Sequence, residues 1–454
     1  MLVDVLRCPR CERGSLRADR AGYICEQCSS GFPVIGGIPW LFRDPQGAAG
    51  DWRARLTLLL AELRADATGI RTALTAPDLL PATRERLIRV ADALDDHGLR
   101  LARLLEPLDL HPGAADRDTL RALRTRMPVS QGLTSYYVNI HRDWAWGDAE
   151  NAASLDLLDA AGAESLTGLR VLVLGAGAGR LAYDLHRRHG PALTVAMDLN
   201  PLLLAVAREM YGGHALELYE FPLAPRGAAD HAVLRTLQAA GAADDRLQLV
   251  AADALCAPFR PGAFDAVITP WFVDIVEEPL PALAARISAL VAEGGRWLNL
   301  GSVAFAFMSS ERMLQFSLGE ALEIVQGAGF APPAVREATL PYMQSPASRH
   351  ARLESTVAWT ARKIAAVAPP ETRGPPEWIV DATRPVPLTA DLQSHARSTR
   401  IHAFMMSLVD GRRSLADIAR VLVEQRLMKP EDALPAARAF LLRMQEDAGR
   451  RINI

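Results

Sequence analysis

Two groups of residues in this chain have the types and spacing to do chemistry. The first is Cys8-Pro9-Arg10-Cys11 followed by Cys25-Glu26-Gln27-Cys28, two C-x-x-C turns with 13 residues between them. Four thiolates so spaced can close tetrahedrally on one zinc ion, with a hairpin between the turns. A redox dithiol would need only one such pair. About 40 residues make too small a core to fold well alone, so the metal would supply the missing stability. The second group opens with Gly175, Gly177 and Gly179 after the apolar run Val171-Leu172-Val173-Leu174. Glycine lets the backbone approach a ligand closely, because no Cβ intervenes. Asp198 closes the next apolar run, where a carboxylate accepts hydrogen bonds from a ribose diol. The pair reads as a nucleoside-cofactor site; the alternative is a tight structural turn. Asp253, Thr269 and Asp274 stand at or just beyond the ends of two further apolar runs.

These residues need a sheet to bring them together. Runs at 169–174, 192–197, 247–252, 264–269 and 296–300 alternate with helical segments, which predicts a doubly wound parallel sheet. Ligands bind beyond the carboxyl ends of such strands, where all of these residues fall. Residues 201–245 read as a long connection. Residues 51–128 carry leucines at helical spacing and read as a helical cap. The aromatic and charged stretch Tyr136-Tyr137-Val138-Asn139-Ile140-His141-Arg142-Asp143-Trp144 reads either as a ligand grip, with an arginine for a carboxylate, or as a packing hinge.

Composition narrows the class. Of 454 residues, 50% are apolar and 23% charged, a globular balance, and the net charge of −3 argues against a nucleic-acid partner. No run of about 18 apolar residues is present, so no membrane span is expected. Met1-Leu2-Val3 runs directly into Asp4 and Arg7, which predicts no signal peptide. Together with five cysteines, four of them in metal-type pairs, this suits a reducing cytoplasm. No P-loop motif occurs.

The acid at Asp253 and the aromatic turn after Thr269 resemble class I methyltransferases that use S-adenosylmethionine. Residues 51–363 resemble more specifically the carnosine N-methyltransferase family. The matching stretches are Arg142-Asp143-Trp144, Leu174-Gly175-Ala176-Gly177-Ala178-Gly179-Arg180, Ile268-Thr269-Pro270-Trp271-Phe272-Val273-Asp274, Asn299-Leu300-Gly301 and Leu340-Pro341-Tyr342. The resemblance implies that Arg142, Asn139, the three glycines, Asp198, Asp253 and Thr269 bind the cofactor. It implies that Asp274 holds a substrate imidazole or amine and takes its proton, and that Tyr342 is a substrate-side tyrosine. The alternative for Asp274 is a helix N-cap. Asn139 replaces a family glutamine, Asp198 a family glutamate, and Phe305-Ala306-Phe307 a stretch with a substrate-contacting histidine.

Residues 1–44 resemble the zinc-ribbon family of methyltransferase activators, with Cys8, Cys11, Cys25 and Cys28 as implied zinc ligands. After a Pro-rich linker at 364–376, residues 377–454 resemble PqqD-like domains, which bind leader peptides; a generic winged-helix or dimerisation module fits as well. The expected fold is thus α/β: a zinc ribbon (1–44), a helical cap (51–128), a Rossmann-like methyltransferase sheet (129–363) and a small helical, winged-helix-like domain (377–454). The expected function is N-methylation of an imidazole or amine nitrogen in a small molecule or peptide, a histidine-containing one above others. The rivals are a nucleic-acid base methyltransferase and a non-catalytic cofactor-binding scaffold.

Overall fold

The computed structural model describes residues 1–108, 133–163, 166–305, 312–371, 376–381 and 383–449. Residues 109–128 of the expected cap, and Ala306 and Phe307, lie outside them. The chain divides into two compact units, Met1–Pro375 and Pro376–Ile454.

The first unit begins with a four-stranded antiparallel meander: β1 (Leu16–Asp19), β2 (Gly22–Cys25), β3 (Gly31–Ile35) and β4 (Ile38–Pro39). Two long helices follow, α1 (Pro45–Ala73) and α2 (Pro81–Leu104), each with proline in its first turn, where no amide hydrogen is missed. A short helix α3 (Tyr137–His141) runs into a π-helical turn, Arg142–Trp146, and then into α4 (Asp148–Ala160).

The sheet is built from β5 (Arg170–Leu174), β6 (Leu193–Asp198), β9 (Leu247–Ala251), β10 (Phe264–Pro270), β11 (Val291–Gly301), β12 (Ala334–Tyr342) and β13 (Arg352–Arg362). Their order is β9-β6-β5-β10-β11-β13-β12, parallel from β9 to β11, with β13 antiparallel to both neighbours. β5 and β6 are buried along almost their whole length, as expected of strands covered on both faces. Helices α5 (Arg180–His189), α6 (Pro201–Tyr211), α7 (Leu280–Leu290) and α8 (Leu318–Gly327) complete the layers. This is the expected α/β doubly wound architecture.

The stretch 201–245 holds more than a connection. Besides α6 it forms an antiparallel hairpin, β7 (Leu216–Glu220) with β8 (Val233–Leu237). Alternation in Leu216-Glu217-Leu218-Tyr219-Glu220 favours a strand with one buried face. The helical pair packs on this hairpin: Arg100 Nη1 donates to Glu217 Oε2 at 3.1 Å, and the His97 ring meets Phe221 at 5.3 Å.

The meander is not a separate body. Leu6, Leu16, Phe32 and Leu41 share one apolar core with Leu172, Val250, Phe259 and Trp297. Backbone bonds join the same parts: Arg7 N donates to Pro258 O (2.9 Å), Arg260 N to Val5 O (2.9 Å), and Leu41 N to Ala251 O (2.8 Å). A parallel bridge pairs Trp40 with Ala251, so the ribbon closes the exposed edge of β9.

The second unit comprises α9 (Glu377–Val380), α10 (Ala390–Ser407), α11 (Leu415–Glu424) and α12 (Pro430–Gly449). Its core is Met405, Leu408, Ile418, Leu422 and Ala437. Ser414 and Asp417 form a reciprocal cap at the start of α11. No helix among the described residues is long and apolar enough to cross a membrane.

Leu41 is fully buried at the seam between ribbon and sheet. Leu41→Ala is expected to destabilise the first unit by about 2–5 kcal/mol, read as a lower urea midpoint. A loss below about 1 kcal/mol would show that the seam is loosely packed.

Candidate functional site

The glycine turn is pinned from four directions. Gly177 N donates to Asp198 Oδ2 at 2.8 Å, and Ala176 N to Met197 O at 3.0 Å. Trp144 Nε1 donates to Ala178 O at 2.8 Å, and Tyr211 OH to Gly179 O at 2.9 Å. The three glycines have different roles. A Cβ on Gly175 would lie 2.4 Å from the Phe272 ring, and one on Gly179 would lie 2.5 Å from the Tyr211 hydroxyl. These two are needed for packing. At Gly177 a Cβ would meet nothing within 4 Å, so this glycine leaves open space for a ligand. All three have left-handed φ.

Asp198 accepts one amide on each oxygen, from Gly177 and, at 2.9 Å, from Asn200. Burial raises its carboxyl above the ordinary range, and these amides pull the other way. Each oxygen keeps a lone pair for a hydroxyl partner. Asp253 caps the short turn Ala254–Cys256 through Oδ1, 2.8 Å from Leu255 N, and burial raises it too.

Asp274 is buried, and it caps no helix: α7 starts at Leu280, with Pro279 in the cap position. Instead, Asp274 Oδ2 accepts from Ala304 N (2.7 Å) and Ser302 Oγ (3.4 Å). Oδ1 takes no hydrogen bond among the described residues. Tyr342 lies with its ring 4.7 Å from Trp271, and the Arg142 guanidinium sits 5.2 Å from its centre. Tyr136 joins the group. Burial raises its phenol, and Tyr342, Asp274 and Asp198 push the same way, which places all four in one electrostatic neighbourhood.

Arg142 donates through Nε (2.9 Å) and Nη2 (2.7 Å) to Asp143 Oδ1. Burial works against its charge, and Asp143 and Tyr342 restore it. Asn139 is half-buried on α3. Thr269 is fully buried in β10, and its hydroxyl receives Trp297 Nε1 at 2.9 Å and lies 2.8 Å from the Asn299 amide.

Sequence reasoning missed Glu150. Its carboxylate receives Met343 N (3.0 Å) and Gln344 N (2.9 Å) and so fixes the chain just after Tyr342. An acid near a helix start carries no signal of such a remote partner. Equally unsignalled are four non-glycine residues with left-handed backbone around the site: Tyr136, Trp271, Val303 and Met343. Each such conformation costs about 1–2 kcal/mol, and such strain gathers at ligand sites.

The four cysteine sulfurs lie within 4.8 Å of one another, with Cys8 to Cys28 and Cys11 to Cys25 both at 3.7 Å. A tetrahedral zinc with bonds of about 2.3 Å separates its sulfurs by roughly 3.8 Å, so the set fits that ion. Amides of Cys11, Gly14, Gln27 and Cys28 point at the sulfurs. Burial opposes the Cys28 thiolate, yet bonds from Ser30 and the neighbouring cysteines bring its pKa to about 6.

Residues 172–298 match the family model described as "Methyltransferase domain". The chain therefore contains a methyltransferase domain at these residues. No curated protein matches. Among solved structures, the chain is similar to a Haemonchus contortus phosphoethanolamine N-methyltransferase complexed with S-adenosylmethionine. The identity is 19% and the TM-score 0.35, over 56% of this chain and 61% of that one. The chain thus spans less than two thirds of that enzyme. A Mesorhizobium loti S-adenosylmethionine-dependent methyltransferase gives 17% and 0.31 over 45% and 95%. A Haloferax volcanii complex that includes a methyltransferase activator gives 14% and 0.35 over 53% and 100%.

The glycine contrast is testable. Gly175→Ala is expected to cost about 2–5 kcal/mol of stability, from overpacking against Phe272 and left-handed strain. Gly177→Ala should cost only about 1 kcal/mol, from strain alone. Equal losses in urea titrations would contradict the assignment.

Helix α3, flanked by Tyr136 and Arg142, rests on a buried aromatic cluster. His97 and His141 flank Tyr137, and Tyr137 OH donates to Tyr219 O at 2.8 Å. Burial lowers both histidines to about 4. Their folded values lie below the unfolded value near 6.5, so the unfolded chain binds more protons. Stability of the first unit should therefore be full above about pH 6.5 and fall as the pH drops toward 4. A urea midpoint flat over that window would contradict the burial of neutral imidazoles.

Proposed function

We propose that this protein is an S-adenosylmethionine-dependent N-methyltransferase that modifies an imidazole or amine nitrogen, in a histidine-containing small molecule or peptide above others. One observation carries the reading. A buried carboxylate, Asp274, whose Oδ1 takes no hydrogen bond among the described residues, stands with Tyr136 and Tyr342 near an acid, Asp198, that is prepared for a ribose.

The residues fit that cofactor. Gly177 presents open space, Asp198 keeps acceptor capacity for two ribose hydroxyls, and Asp253 has one oxygen to spare for an adenine amine. Arg142, charged and stacked on Tyr342, would face the cofactor's carboxylate. When bound, the cofactor would supply an electrophilic methyl group. Tyr342 and Trp271 would orient the acceptor ring or chain. Asp274 Oδ1 would accept the proton that the nitrogen loses, while Ala304 and Ser302 hold the other oxygen still. The charge on Asp274 aligns the nucleophile, and positioning is the larger contribution. The four cysteines would hold a structural zinc.

The test uses the full chain with methyl-labelled cofactor and pools of imidazoles, amines and peptides, read by mass spectrometry. Label on nitrogen is expected; label only on oxygen, sulfur or nucleic-acid bases would overturn the reading. A peptide substrate would further imply that residues 377–454 hold its leader, and that form is dropped if no peptide encoded beside the gene binds.

Two acids should separate binding from chemistry. Asp274→Asn is expected to lower kcat by about 10²–10⁴-fold while S-adenosylhomocysteine affinity stays within a few-fold. Asp198→Asn should lower that affinity at least about tenfold, as expected for a lost charge-assisted bond. The amide has one acceptor oxygen for two backbone donors, Gly177 N and Asn200 N, so the fold also loses a hydrogen bond. A thermal midpoint at pH 7 below wild type, by about 1–3 kcal/mol of stability, is expected; an unchanged midpoint would contradict the two-donor clasp.

A further inference from the structure

The candidate site has a polarity that neither the glycine turn nor Asp274 explains. Its carboxylates, Asp198 and Asp274, are on the inside. The wall beyond Tyr342 carries Arg349, His350 and Arg352 with Glu354 next to them, and Arg226 with Asp230 near it, so arginines outnumber acids there. The two segments are joined. Pro225 bridges Ser348, Arg226 N donates to Ala347 O (3.1 Å), and Arg349 N donates to Ala224 O (2.7 Å). Arg349 Nη2 also donates to Arg226 O at 2.8 Å, so this arginine is partly spent on holding the wall.

Arg352 is the member aimed at the site. It pairs directly with Tyr342 across β12 and β13, so the two side chains share a face. Its guanidinium lies 4.9 Å from the Tyr342 ring centre, and that ring also touches Trp271 and Arg142. Half of the Arg352 side chain is exposed. Among the described residues its ion pair is a single 3.4 Å contact to Glu354, which leaves most of five donors unused there. A guanidinium stacked by its face keeps its edge donors, and a planar fork with free donors is suited to a carboxylate or phosphate.

We propose that the acceptor is a zwitterion whose nitrogen enters toward Asp274 and whose anionic group, carboxylate or phosphate, is held at the mouth by Arg352. This rests on the methyltransferase reading of the site and adds the substrate class. Arg352 becomes a specificity-determining residue. Tyr342 is the spacer between the two charged ends, with one neighbour from each side against its ring.

The experiment is calorimetry on the full-length protein saturated with S-adenosylhomocysteine. Two matched probe pairs are titrated: histidine against histidinamide, and histidinol phosphate against histidinol. In at least one pair the anionic member should bind about tenfold or more tighter, the range of a charge-assisted hydrogen bond. The favoured pair identifies carboxylate or phosphate as the source. In Arg352→Gln the ratio should fall toward one, and in Arg352→Lys it should recover in part. Higher salt should shrink it, because the mouth is exposed. Circular dichroism verifies that the variants fold. Equal affinities in both pairs, a ratio untouched by Arg352→Gln, or no binding of any probe would overturn the proposal. Failure of the protein to bind S-adenosylhomocysteine is a separate outcome: it removes the functional reading and this proposal with it.

Discussion

The half-buried Asp198 carboxylate, spanned by the amides of Gly177 and Asn200, is the interaction around which the first unit is arranged. An ionised group out of water is costly unless it is bonded, and here each oxygen has one backbone donor. The donors come from opposite sides: one from the turn after β5, one from the start of α6. The carboxylate thus fixes where two connections leave the sheet. Trp144, Tyr211 and Phe272 then close on the turn from three other elements, and only glycine at 175 and 179 gives them room.

The same anchor reaches the four-cysteine end of the chain through one strand. Ala252 N donates to Asp198 O at 3.1 Å, and the preceding residue, Ala251, is the one that pairs with Trp40 and Leu41. The four-cysteine knot and the glycine turn therefore share β9. Their shared apolar core makes the ribbon part of the first unit's own fold. On the opposite flank, Glu150 sets the backbone after Tyr342, and the arginine-bearing wall continues from there. The site is held between a metal-type knot on one side and an antiparallel hairpin on the other.

Features that depend on local spacing were legible in the sequence: the two C-x-x-C turns, the strand and glycine turn at 169–179, and the acids at strand ends. Features set by distant partners were not. Gly175 and Gly177 look alike in the chain, yet only Phe272, 97 positions on, makes the first a packing residue. Thr269 sits at a strand end like the acids, but Trp297 and Asn299 take its hydroxyl inside the sheet. Glu150 and the left-handed backbone at Tyr136, Trp271, Val303 and Met343 leave no periodic trace. The β7–β8 hairpin was hidden because its strands are short and separated by a proline-containing loop.

The most direct measurement is a crystal structure of the full chain grown with S-adenosylhomocysteine. The account predicts density over Gly177, with the ribose diol on Asp198, the adenine toward Asp253 and the sulfur facing Asp274 and Tyr342. Saturated crystals with this space empty, or with the ligand bound elsewhere, would contradict it.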